Sequence, residues 1–178
     1  EFRRVLFRSC WHGAVEVVYE DQGPPFWLRA GDCVLQPPGI RHRVLRTEGV
    51  CDVIELACPA RHETHADPVL ALPTTTLDPR RRFAGQQFVH AQGALASWRR
   101  EGERAECRDL GLAAATHGIV EAHVVRLHEC ATPWELRHGG ELQFAFVLEG
   151  SGLLRARGAE SAIGARSEEH TSELQSQF

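Results

Sequence analysis

No stretch of this chain sustains an apolar repeat at helical spacing; its apolar residues come in runs of a few, often alternating with polar ones, and glycine and proline cut the runs apart. Period-two runs closed by Gly and Pro are the pattern of short strands joined by turns, as in all-β barrels and sandwiches. Strands are expected over 14–19, 26–29, 33–36, 42–46, 50–58, 86–89, 110–115, 120–127 and 142–148, with a further one from Leu153. Asp21 to Pro25 reads as a turn, and 91–100 could form a short helix at most. Between Pro59 and Arg82 the chain carries Pro68, Pro73 and Pro79, three threonines in a row and an arginine triplet, which marks it as a connecting segment.

The two ends mirror one another at the level of DNA. If Glu1 to Ser9 (EFRRVLFRS) is written in suitable codons, the reverse complement reads RSEEHTSEL in frame, which is Arg166 to Leu174. Nine codons complementary in register point to the same oligonucleotide, resembling a sequencing-library adapter, at both ends of a gene fragment. Residues 1–9 and 166–178 are therefore expected to be adapter-derived and without function. The chain has no methionine, lysine or asparagine, a bias expected of a GC-rich bacterial gene whose start lies upstream.

With 178 residues, 43% of them hydrophobic, the chain is long enough to bury a core. A net charge of −4 with arginines scattered along the sequence argues against a nucleic-acid surface. No apolar run approaches the roughly 20 residues that span a bilayer as a helix. Six cysteines without a C-x-x-C pair fit a reduced, cytoplasmic setting, with Cys33, Cys51 and Cys58 as small buried hydrophobes and Cys107 and Cys130 as the candidates for reactivity.

One segment carries chemistry. Gly31-Asp32-Cys33-Val34-Leu35-Gln36-Pro37-Pro38-Gly39-Ile40-Arg41-His42 has the form G-x5-P-x-G-x2-H. Gly31 permits a tight corner between strands, and Pro37 and Gly39 fix a turn that brings the chain back with His42 pointing inward. An imidazole held rigidly on a strand is a good ligand for a divalent transition metal. This segment resembles the second motif of the cupins, with Arg46 where the pattern ends in Asn. The resemblance implies an antiparallel, jelly-roll-type β-barrel and a bound divalent metal (Fe, Mn, Ni or Zn), with His42 as one ligand.

The first cupin motif, G-x5-H-x-H-x3,4-E-x6-G, finds its nearest match downstream. There Leu136 and His138 stand at the two histidine positions, Gln143 at the glutamate position, and Gly150 closes the spacing. His138 and Gln143 are thus candidate metal residues, although a Gln carbonyl brings no charge and holds a cation less firmly. The reversed order suggests two repeated domains: 10–58 as the C-terminal half of a first cupin, 59–82 as the linker and 83–165 as the N-terminal half of a second. The incomplete or composite barrel could also close on itself, bringing His42 to His138 and Gln143.

His62 and His65 read as loop histidines, and His90, His117, His123 and His128 as ordinary polar positions. The resemblance implies a metal-binding bicupin that acts on or binds a small organic molecule, dioxygenase-like chemistry among the options, with catalytic residues open. The alternative is a non-catalytic ligand-binding or sensing cupin without metal, for which Leu136 and Gln143 speak. Partners are expected to be a small molecule and, since half-barrels expose strand edges, a second copy of the chain.

Overall fold

A computed structural model describes residues 4–60, 64–128, 134, 139–156, 159–166 and 168–172. The chain forms two compact units, Glu1–Cys130 and Ala131–Phe178, and division between Cys130 and Ala131 leaves residues on both sides of the 59–82 connection in the first.

In the first unit the strands are β1 (Val5–Tyr19), β2 (Phe26–Arg29), β3 (Cys33–Leu35), β4 (His42–Cys58), β5 (Arg82–Phe83), β6 (Gln86–Gln87), β7 (Val89–Ala91), β8 (Arg99–Glu101), β9 (Ala105–Asp109) and β10 (His123–Leu127), with one helix, α1 (Leu112–Thr116), before β10. The main sheet is built on β1. Along one edge β1 pairs antiparallel with β4 from Val5↔Cys58 to Tyr19↔His42. Along the other, β2 takes its C-terminal half (Val17↔Phe26) and β3 its N-terminal half (Phe7↔Leu35), and β7 extends the sheet from β3. The all-β expectation holds at this level: the sheet is a curled antiparallel half-barrel.

Residues Val5 to Ser9, read from the sequence as adapter-derived, form the first part of β1, and Val5, Leu6 and Phe7 are buried. Two apolar clusters occupy the two faces of the sheet. Val5 and Phe7 join Cys33, Leu35, Leu110, Leu112 and Ala115 on one. Cys10, Val15, Val17 and Tyr19 join Leu28, Val34, Ile40, Phe83 and Phe88 on the other, which we call the inner face.

Strict alternation along β1 would not allow this, because inner residues are even-numbered up to Cys10 and odd-numbered from Val15. The switch occurs at a bulge, where the β1–β4 register shifts between Cys10 and His12 and again between His12 and Ala14. Gly13 sits in it at φ +73°, and a Cβ there would lie 2.1 Å from the carbonyl oxygen of Val50. Only glycine satisfies both the left-handed backbone and the close approach.

The G-x5-P-x-G-x2-H segment folds as its residues dictate. Ile40 N–H donates to the Pro37 carbonyl at 3.3 Å, closing a turn with Pro38 and Gly39 (φ +80°) in its centre, the preferred residues of a type II turn. At the preceding corner the Asp32 carboxylate accepts from Arg29 N–H at 2.9 Å and Gly93 N–H at 2.7 Å. The chain then enters β4 with His42 opposite Tyr19.

The connection after β4 is tied down by charge. Arg81 donates to Glu20 and Asp21, both buried, and Arg41 donates to Glu20 at 3.2 Å while pairing with Asp67 at 2.7 Å. Burial pushes the Asp21 carboxyl up, but hydrogen bonds from Arg81 and Thr74 outweigh it and hold the group below its ordinary range.

One expected strand is a helix. Leu112-Ala-Ala-Ala-Thr116 forms α1 because alanine has the strongest helix propensity, and Leu112, Ala115 and Thr116 recur at spacings that bury one face. Gly111 and His117, both left-handed, bound it. Neither β8, which begins inside the 91–100 segment where a short helix at most is expected, nor β9 is expected from the sequence; β9 pairs with β8 and β10.

The second unit is a nested pair of hairpins, β11 (Leu142–Phe146) with β14 (Glu168–Ser172), and β12 (Ser151–Ala156) with β13 (Ala159–Gly164). The ladder continues between them, since Arg166 N–H donates to the Val147 carbonyl and Ala165 N–H to that of Gly150. Among the described residues no helix is long and apolar enough to cross a membrane.

Substituting Gly13→Ala is expected to lower the unfolding free energy by about 3 kcal/mol, through strain at positive φ and displacement of Val50. Urea denaturation at fixed pH measures it; a loss within about 0.5 kcal/mol would mean that the bulge relaxes.

Candidate functional site

His42 is held at the end of β4 on the inner face. Its ring stacks on that of Tyr19, with centroids 5.3 Å apart and planes 15° from parallel. Tyr19 in turn meets Phe88 at 4.6 Å and Phe26 at 6.0 Å, and the imidazole of His90 stacks on Phe26 at 4.2 Å. The inner face is thus a row of rings with an imidazole at each end.

At the His42 end the rings meet a polar cluster centred on Arg8. Its Nε donates to Glu55 Oε2 at 2.6 Å, and its Nη1 donates to Gln36 Oε1 at 2.8 Å and lies 3.0 Å from His42 Nε2. A guanidinium has only hydrogens to offer, so Nε2 must accept and the His42 proton resides on Nδ1. Gln36 Oε1 also accepts from the Tyr19 hydroxyl, at 3.4 Å. Arg8 and Glu55 are direct cross-strand partners on β1 and β4, which fixes the guanidinium against the imidazole.

Burial first, and the positive charge of Arg8 second, lower the His42 pKa from its ordinary 6.5 to about 4. Burial raises the Tyr19 phenol to about 12, with Arg8 acting against it. His90 is also depressed, chiefly by burial, while Asp32 opposes; its Nε2 lies 4.0 Å from the Asp32 carboxylate. At neutral pH the site therefore contains neutral imidazoles, a neutral phenol and the Arg8 cation paired with the Glu55 carboxylate.

The candidate metal residues fall in different units of the chain. His42 belongs to the first unit. Gln143 lies on β11 of the second, half-buried and opposite Thr171. His138 and Leu136 lie outside the described residues, as do His62 and Cys130. Among the described residues no group of three or more His, Cys, Asp or Glu side chains is placed to hold a metal ion. The chemistry around His42 does not suit one either, because the lone pair that would coordinate already accepts from a guanidinium.

Of the remaining candidates, His65 is exposed in the 59–82 connection. Cys107 is buried, and burial, with Glu101 adding to it, raises its pKa, so it is an inert thiol rather than a reactive one. Cys33 is buried as expected; Cys51 is only partly buried and Cys58 is exposed. Arg8, Tyr19, Gln36, Glu55 and His90 were not singled out from sequence. A cross-strand partnership such as Arg8–Glu55 is visible only once register is known.

Compared with protein-family models, with curated proteins and with solved structures, the chain gives no match.

Between pH 6.5 and about 4 the unfolded chain takes up a proton on His42 that the folded chain refuses. His42 thus contributes stability that is complete above 6.5 and lost as pH falls through that window. Nitrogen-detected NMR should show the His42 ring titrating near pH 4, and His42→Gln should flatten the acid limb of the stability curve there. A midpoint near 6.5 would contradict the burial of the ring and, with it, the Arg8 contact.

Proposed function

We propose that the first unit is a binding module for a small planar organic molecule, of the cupin type and without a metal at His42. The observation that carries this reading is the guanidinium of Arg8 at the Nε2 atom that a metal would need. Small-molecule sites combine an apolar, often aromatic wall with a few convergent polar groups. Here the wall is Tyr19, Phe26, Phe88 and His90, and the polar groups are Arg8, Gln36, Glu55 and His42. Most of the wall is well packed, but the β4 side of the same face is open: Val44, opposite Val17, is 55% exposed and Val53, opposite Cys10, is 43% exposed.

A ligand entering along β4 would cover Val44 and Val53, stack beside the His42 ring and meet donors and acceptors of the Arg8 cluster. No acid–base pair here favours a particular reaction, because His42 and Tyr19 are both shifted away from neutral pH. Recognition without turnover is the chemistry these residues support, in line with the ligand-binding alternative rather than a dioxygenase.

A thermal-shift panel of phenols, aromatic carboxylates and N-heterocycles tests the reading. A ligand at about a hundred times its Kd adds about 2.7 kcal/mol and raises the midpoint by several degrees. That rise should vanish in His42→Ala and in Val44→Glu. No shift from any compound, or a shift indifferent to both substitutions, would sink the proposal.

A further inference from the structure

We propose that Cys10 and Cys51 form an oxidisable thiol pair, which a low-molecular-weight disulfide converts into a covalent link between β1 and β4 at the Gly13 bulge. Both side chains belong to the inner apolar cluster, Cys10 within it and Cys51 packed against it. Continuing the Cys10↔Val53 register would set His12 opposite Cys51 and leave the two cysteines as diagonal neighbours, about 7–8 Å apart and too far for a bond. The bulge removes that gap. The backbone curls so that the Cys10 Sγ faces the carbonyl oxygens of His12 at 3.6 Å and Gly13 at 3.5 Å. Gly13 in turn lies against Cys51, since a Cβ on it would be 3.0 Å from the Cys51 Cα. The two thiols are hydrogen-bonded to one another. Among the described residues the other cysteines stand elsewhere: Cys33 in the cluster on the opposite face, Cys58 exposed at the end of β4 and Cys107 on β9.

The two thiols have different parts in the reaction. Cys51 is only partly buried and is the one an oxidant from solution can meet, whereas Cys10 is sealed in the core. Burial first, and Cys51 beside it second, push the Cys10 thiol up to about 12, which keeps it from reacting with solutes on its own. The Cys51 thiolate attacks one sulfur of the oxidant RSSR, and a Cys51–S–S–R bond forms as RS− leaves and takes up a proton. Cys10 then gives up its proton and attacks the Cys51 Sγ, and the second RS− leaves and is protonated. Two protein thiols are oxidised by two electrons and RSSR is reduced to two RSH. The second step is intramolecular, so contact between the sulfurs offsets the small thiolate fraction of Cys10. The bond closes a loop through β2 and β3 and restricts the unfolded chain, so the oxidised protein is the more stable form. No ligand on the inner face is required, so this proposal and the binding reading can fail separately.

The test treats the full chain, without denaturant, with oxidised glutathione, alkylates the remaining thiols and cleaves after Arg and Glu. Fragment 9–16 should be recovered joined to fragment 49–55, with glutathione on neither, and dithiothreitol should separate them. The oxidised chain should unfold several degrees higher than the reduced one. Cys51→Ser should leave Cys10 reduced and abolish the rise, whereas Cys58→Ser should alter neither result. The proposal is overturned if glutathione stays on Cys51 of the unaltered chain, if Cys10 is recovered alkylated or joined to another cysteine, or if oxidation leaves the midpoint unmoved. Should Cys51→Ser fold poorly, Cys10→Ala provides the second test: glutathione should then accumulate on Cys51, and its absence there overturns the assigned order of attack.

Discussion

The pairing of β1 with β4, and the bulge at Gly13 that interrupts it, set the terms for the rest of the first unit. β1 supplies Val5 and Phe7 to one cluster and Cys10, Val15, Val17 and Tyr19 to the other. Without the change of parity, one half of the strand would turn its apolar residues to the wrong face, since a one-residue slip inverts every side chain. The same change places Arg8, from before the bulge, on the face that carries Tyr19 and His42 from beyond it. The site thus depends on a backbone irregularity far from its own atoms.

Much of the strand architecture was legible because it follows from alternation and punctuation. β2 was expected at its observed bounds, and the turn before His42 followed from Pro37, Pro38 and Gly39, whose conformational preferences are local. α1 was missed because Leu110 to Ala115 is apolar in either state, and the decision fell to alanine propensity and two left-handed caps. The length of β4 was also hidden: exposed Gly49, left-handed at φ +67°, suggested a break where the strand in fact continues.

The site itself was legible at one residue only. His42 stood out because its motif is contiguous. Its neighbours come from β1, from the end of β3 and from the far half of β4, and their meeting is a matter of register. Arg8 falls in the segment expected to be adapter-derived, and its meeting with His42 depends on the β1–β4 register. His90 had no partner spacing, yet β7 pairing brings it over Phe26, because Val34 opposite it faces inward.

The difference between a guanidinium and a metal ion at His42 is chemical as well as electrostatic. A metal ion has empty orbitals and exchangeable positions, so it can polarise a bound molecule or lower the pKa of a water. A guanidinium has a fixed set of hydrogens in one plane and keeps its charge at any ordinary pH. Its neighbours are thereby held as acceptors: His42 is discouraged from protonation and Glu55 is matched in charge. What such a site can offer a visiting molecule is shape, ring stacking and hydrogen bonds. The charge on Arg8 thus acts on the imidazole in the same direction as burial, and both keep His42 neutral where a metal ligand would also have to be neutral.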